Sequence, residues 1–126
     1  QQDVTTLQER TEVARIVEPI ELTDANFVSE VLQSERPVLV DFWAEWCVPC
    51  QIVGPTIDDL AAQYDGQLKV GKLNIDENPL VAEALGVESI PAVALFKDGQ
   101  VVDALLGVQP IERYQAAIDG ALPAQA

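Results

Sequence analysis

Cys47 and Cys50 are the only cysteines of the chain, and two residues separate them. Two thiols at that spacing suit reversible exchange between a dithiol and a disulfide. They follow a mostly apolar run, Val38-Leu39-Val40-Asp41-Phe42-Trp43, that reads as a strand buried on both faces. A strand that gives way to a helix at Cys47 sets the first sulfur among unsatisfied N–H groups at the positive end of the helix dipole, which favours thiolate over thiol. Cys50, at i+3, falls along the same face, near enough for a disulfide, with the first sulfur expected to be the more exposed of the two. Other uses of the pair fit less well. A structural staple normally closes a longer loop than two residues. With no histidine in the chain, a tetrahedral zinc site is two ligands short unless carboxylates or a second chain supply them.

The elements that must position this pair are legible from pattern. Residues 16–21 read as a short strand, and Thr23 is placed to N-cap a helix carrying Phe27, Val28, Val31 and Leu32 on one face. The helix that opens at Cys47 is expected to reach about Tyr64, with Ile52, Val53, Ile57, Leu60 and Ala61 on its apolar side and a kink at Pro55. Asp65-Gly66 ends it, and 67–73 is a third strand. Asn78-Pro79 reads as an N-cap and N1 proline, with Gly86 closing that short helix. Residues 92–97 and 100–106 flank Asp98-Gly99, a two-residue hairpin signal that makes the last two strands antiparallel. A helix over 110–121 completes the chain. Alternating elements that end in a hairpin require an α/β fold with a mixed central sheet, three strands of parallel type plus the hairpin, and helices on both faces.

Composition sets the outer bounds. A chain of 126 residues with 48% hydrophobic and 22% charged residues fits one domain with a proper core. The expected division is an N-terminal extension at 1–17, partly helical or flexible, a domain at 18–122 and a frayed tail at 123–126. A formal net charge of −14 opposes binding to nucleic acid or anionic membrane surfaces. No apolar stretch approaches the roughly 18 residues of a membrane helix. The chain starts at Gln1, contains no methionine and shows no leader pattern, so any targeting peptide is expected to have been removed already.

Several segments, taken together, carry a family likeness. Asp41-Phe42-Trp43-Ala44-Glu45-Trp46-Cys47-x-Pro49-Cys50, then Lys72-Leu73-Asn74-Ile75-Asp76, Ile90-Pro91 and Leu95-Phe96-Lys97-Asp98-Gly99 resemble thioredoxin in order and spacing. The likeness runs from about Glu18 to about Leu122. It implies the thioredoxin fold and a protein-disulfide reductase in which Cys47 attacks and Cys50 resolves. Asp41, in an apolar strand where charge is costly, is expected to hold its proton tightly. On polarity alone it is equally an acid at a strand end that accepts backbone or water hydrogen bonds, and the resemblance assigns it the proton of Cys50. Lys72 matches the family's lysine beside that acid, although strand-end lysines are most often simply solvated. Pro91 matches the family's cis-proline, where a lone X-Pro would be read as trans. Trp46, Val48, Pro49, Ile90, Pro91, Gly107 and Val108 are expected to form the surface that docks partner proteins, with Gly107 allowing close backbone approach and Trp43 packing beneath.

Two positions depart from the family pattern. Val48 stands where glycine is usual, and Gln51 where lysine is common, which removes a positive charge near the pair. The resemblance further implies no bound cofactor, electrons supplied by a thioredoxin reductase or another dithiol donor, disulfide-containing target proteins as partners, a monomer, and a cytoplasmic location. An exported or organellar oxidase, isomerase or reducing relay of the same fold is the nearest alternative. A redox-gated binding module without essential catalysis is an alternative of another class.

Overall fold

The computed structural model describes residues 17–123. The extension expected at 1–17 lies outside the described residues except for Val17, as does the tail beyond Pro123. Five strands form one sheet: β1 (Ile20–Leu22), β2 (Val38–Trp43), β3 (Lys69–Asn74), β4 (Ala92–Lys97) and β5 (Gln100–Leu106), in the order β1-β3-β2-β4-β5. The β1–β3 and β3–β2 pairs are parallel; β2–β4 and β4–β5 are antiparallel. Among the described residues three α-helices form, α1 (Val48–Gln63), α2 (Pro79–Ala84) and α3 (Ile111–Ala121). No helix among the described residues is long and apolar enough to cross a membrane.

β2 is the central strand, and its residues alternate between two cores. Leu39 joins Val70, Val93, Leu105 and the buried faces of α1 and α3 on one side. Val38, Val40 and Phe42 join Leu22, Phe27, Leu73 and Phe96 on the other. By the same alternation Asp41 falls on the side of Leu39, toward α1 and α3. Its ladder partners are Lys72 on β3 and Val93 on β4.

The hairpin forms as its dipeptide predicts. Asp98 and Gly99 have φ of 53° and 79°, the two left-handed residues that a type I′ turn requires. Glycine is doubly needed at 99, because a Cβ there would lie 2.9 Å from the Leu32 carbonyl oxygen. Further along, Leu95 pairs with Asp103 and Phe96 with Val101, so Val102 is the extra residue of a bulge.

Local boundaries and caps differ from expectation in four places. β1 is shorter than 16–21: Pro19 lacks an N–H to donate, and pairing with β3 runs only from Ile20 to Leu22. β3 starts at Lys69, because the N–H groups of Gln67 and Leu68 both donate to the Tyr64 carbonyl and close a turn. The segment after Thr23 does carry a reciprocal cap, Asn26 N–H to Thr23 Oγ1 (3.1 Å) and Thr23 N–H to Asn26 Oδ1 (2.7 Å). It continues, however, as a π-helical turn at Val28–Leu32 that buries Phe27 and Val31 and leaves Val28 and Leu32 exposed. Asn78 precedes Pro79 as expected, but its side chain does not cap α2. It is engaged by the Asp24 N–H and the Asn74 carbonyl, while the Asp24 carboxylate accepts from the N–H groups of Leu80 (3.2 Å) and Val81 (2.9 Å). At the other end of α2, Gly86 N–H donates to Glu83 and Val87 N–H to Ala82, the Schellman pattern.

The cap of α2 is therefore supplied from 56 residues away, so Asp24 ties the β1 end of the sheet to that helix. Replacing Asp24 with alanine is expected to lower stability by about 1 kcal/mol, and replacing it with asparagine by less. Denaturant unfolding of the two variants measures both, and an Asp24→Ala protein as stable as the parent would show that the cap contributes nothing.

Candidate functional site

Cys47 is the N-cap of α1, and the two cysteines are joined as a disulfide with their Cα atoms 5.3 Å apart. The Cys47 Sγ accepts a hydrogen bond from the Cys50 N–H at 3.2 Å. Pro49 occupies the second helical position and has no N–H, so the Cys50 amide at the third is the donor that meets the sulfur. Neither cysteine is open to solvent: Cys47 is 4% exposed and Cys50 3%. The expected contrast in exposure is thus nearly absent in the disulfide form. Each sulfur is covered by the other, by Ala44, and by Trp43, Ile75 and Ile90 packed against them.

The flank of the pair is built by the loop after β3. Asn74 Oδ1 accepts from the N–H groups of Asp76 (2.9 Å) and Glu77 (3.2 Å), and that turn presents the Asp76 carboxylate to the Trp46 indole N–H at 2.8 Å. Trp46 is 66% exposed but anchored at its polar edge. Val48, at 72%, projects outward beside it in sequence, and Ile52, one turn on, is 59% exposed. Ile52 was expected on the buried side of α1. It instead extends the apolar strip begun by Val48, while Val53, Ile57, Leu60 and Ala61 turn inward.

The other flank is the start of β4. The Ile90–Pro91 peptide is cis, Pro91 is buried, and its carbonyl accepts from the Gly107 N–H at 2.9 Å. Gly107 has φ of 73°, and a Cβ there would meet nothing within 4 Å. Left-handed backbone, not crowding within the chain, is what demands glycine. Val108 is half exposed and Pro49 is exposed. Ile90 packs on the cysteine cluster, so the sequence-expected rim residues lie on the loops next to the disulfide and at its β4 and β5 sides.

Beneath the pair, a cleft of about 190 Å³ is lined by Asp41, Trp43, Cys50, Gln51, Gly54 and Lys72. It brings the expected acid, the expected lysine and the second cysteine to one wall. Asp41 is 1% exposed, and its Oδ1 has no hydrogen-bond partner among the described residues. Burial pushes its carboxyl up to about 7; the Lys72 ammonium pulls the other way and the Asp58 carboxylate adds to the rise. Lys72 is not bound to Asp41. Its Nζ meets Asp58 Oδ1 at 2.8 Å. Asp58, bonded to Lys72, and Asp76, bonded to Trp46, were given no role by the linear pattern, since both sit among many acidic residues and acquire these partners only on folding. Ile52 had a signal, its i+4 spacing from Val48. Among the described residues no group of three or more acidic or cysteine side chains is placed to hold a metal ion.

The thioredoxin family model matches residues 18–120. The chain belongs to the thioredoxin family. It is 56% identical over 89 residues to thioredoxin 1 of Synechococcus elongatus, covering 71% of this chain and 83% of that protein. It is 53% identical over 90 residues to thioredoxin 1 of a Nostoc species, covering 71% and 84%, and 48% identical over 99 residues to the thioredoxin of Chlorobaculum thiosulfatiphilum, covering 79% and 92%. The mixed five-stranded sheet with its flanking helices is the thioredoxin fold, and this family member is a thiol-disulfide oxidoreductase acting as a protein-disulfide reductase.

The buried acid has a measurable effect on stability. Because folded Asp41 holds its proton up to about pH 7 and an unfolded aspartate only to 3.8, unfolding releases a proton across that window. Rising pH from about 4 to 7 then favours the unfolded chain, by about 4 kcal/mol in total at about 1.4 kcal/mol per unit. Asp41→Asn in the disulfide form is expected to lose this slope and to exceed the parent in stability at pH 8, with little difference near pH 4. Urea unfolding across pH 4–8 tests this, and parallel curves for the two proteins would refute it.

Proposed function

We propose that Cys47 is the attacking thiol, Cys50 the resolving thiol and Asp41 the group that takes the proton of Cys50. The observation that carries this reading is the position of Cys47 Sγ as the cap of α1, accepting the Cys50 N–H, with Cys50 on the wall of the cleft that reaches Asp41. In the dithiol, a helix N-terminus and an N–H donor stabilise a thiolate at Cys47. That thiolate attacks one sulfur of a target disulfide, whose S–S bond breaks. A Cys47–target bond forms, and the first target sulfur leaves and takes up a proton. Cys50 then gives its proton to the Asp41 carboxylate and attacks Cys47 Sγ. The mixed disulfide breaks, the second target sulfur leaves, and the Cys47–Cys50 disulfide closes. The target has gained two electrons and the protein has lost two.

Trp46, Val48, Pro49, Ile90, Pro91, Gly107 and Val108 dock the target in this reading. Exposed apolar side chains beside a buried disulfide support it, since a partner covering them also excludes water from the exchange. Val48 enlarges that apolar surface rather than shielding the sulfur, because its side chain points outward. Electrons return from a thioredoxin reductase or an equivalent dithiol donor, with no bound cofactor. A cytoplasmic location agrees with a chain whose only cysteines form a reversible pair. A monomer agrees with the self-repulsion of a net charge of −14.

Trapping separates the two thiols. Cys50→Ser is expected to accumulate a covalent adduct with a disulfide-containing protein such as insulin, and Cys47→Ser to form none; the opposite pattern would exchange their roles. Equilibration with glutathione or dithiothreitol then reads the potential. A value near about −270 mV, the figure established for thioredoxin itself, fits a reductase, and one of about −180 to −120 mV fits an isomerase or oxidase.

A further inference from the structure

Lys72 faces two carboxylates and is bonded to one. It stands opposite Asp41 across the β2–β3 ladder and lines the cleft with Asp41 and Cys50. Yet its ammonium lies 2.8 Å from Asp58 Oδ1, on the outward side of α1, while Asp41 Oδ1 is left without a partner. The ammonium runs beside α1 at Gly54, where a Cβ would be in ordinary contact with Nζ at 3.7 Å, and ends at Asp58, one turn further along the helix. The Asp58 side chain is 55% exposed.

We propose that Asp58 is a positioning residue for the proton transfer between Cys50 and Asp41: by holding the Lys72 ammonium at its own carboxylate, it withholds that cation from Asp41 and keeps the buried acid able to carry a proton. This rests on the reading of Asp41 as the proton acceptor of Cys50. The titratable and charged groups that bear on Asp41 are Lys72 from β3, Asp58 and Cys50 from α1, and Tyr114 from α3. Val93, its partner on β4, carries no charge. Lys72 is the one cation among them, so which carboxylate holds it decides how far the Asp41 charge is compensated. Burial raises the Asp41 carboxyl most, Lys72 lowers it and the Asp58 charge raises it.

Removing the competitor has a definite sign. In Asp58→Asn, Lys72 is free to turn to Asp41 and one like charge is gone, so Asp41 loses proton affinity by about tenfold or more. The experiment is a carbon-13 NMR titration of the Asp41 carboxyl in the reduced protein, for the parent, D58N, K72M and the D58N/K72M double variant. The expected result is a midpoint lower by about one pH unit or more in D58N, and a clearly smaller D58N effect once Lys72 is absent. An unchanged midpoint in D58N, or an equal shift with and without Lys72, would overturn the proposal, the second because Asp58 would then act by its own charge alone. The parent reading has a separate readout, the pH dependence of Cys50 attack on a preformed Cys47 mixed disulfide. If D41N keeps the parent's profile there, Asp41 carries no proton for Cys50 and the basis of the proposal fails, whatever the Asp41 midpoint does.

Discussion

One carboxylate placed in the middle of a sheet organises this molecule. Asp41 sits buried on the central strand, and burial is the largest of the causes that raise its carboxyl to about 7. A fold optimised only for stability would put leucine or valine there, as it does at Leu39 and Val93 on the same face. The surroundings instead leave room for an acid: a cleft lined also by Cys50 and Gly54, and a lysine across the ladder. The energetic burden is concentrated at one residue and carried by two cores of ordinary apolar packing on either side of the sheet.

Much of this could be read from the sequence because the governing signals are local. Asp98-Gly99 specifies its turn by the backbone angles that these residues tolerate, and the β2 run of Val38 to Trp43 declares a doubly buried strand by composition. The N-terminus of α1 is legible for the same reason, since Cys47, Pro49 and Cys50 sit within one turn and the hydrogen bond between them spans three residues. What escaped is long-range. Asn78 has the right type and place for an N-cap, but an acid 54 residues earlier reaches α2 first and engages the asparagine's oxygen with its own N–H. Which of 21 acidic residues finds Lys72, and which finds the Trp46 indole, depends on how strands and helices meet, and no spacing rule encodes it.

The cysteine pair shows how the two levels combine. Sequence places both sulfurs at a helix start, and from that alone the first was expected to face solvent. The fold buries both almost equally, because Ala44, Ile75 and Ile90 come from three different segments to close over them. In the proposed reading access to the disulfide is a property of the rim, where a partner approaches between Trp46, bonded to Asp76, and the β4 loop, with its Pro91–Gly107 hydrogen bond. Both flanks are held by bonds to segments distant in sequence, so the opening beside the sulfurs is preformed.

The two departures from the usual motif act on different parts of this arrangement. Val48 contributes the first residue of α1, but the donor that meets Cys47 Sγ is the backbone N–H of Cys50, and the valine side chain points away. A larger residue at 48 therefore enlarges the exposed apolar surface beside the pair, which is the docking surface in the proposed reading, and leaves the sulfur's hydrogen bond in place. Gln51 acts within the cleft. With a neutral side chain there, Lys72 is the only cation among the residues that line it. The charge balance of Asp41 then depends on a single ammonium, and that ammonium is committed to Asp58 outside. In the proposed reading, chemistry at the disulfide is linked to an exposed carboxylate one helical turn beyond Gly54, through one lysine that lies across the β2–β3 ladder from Asp41.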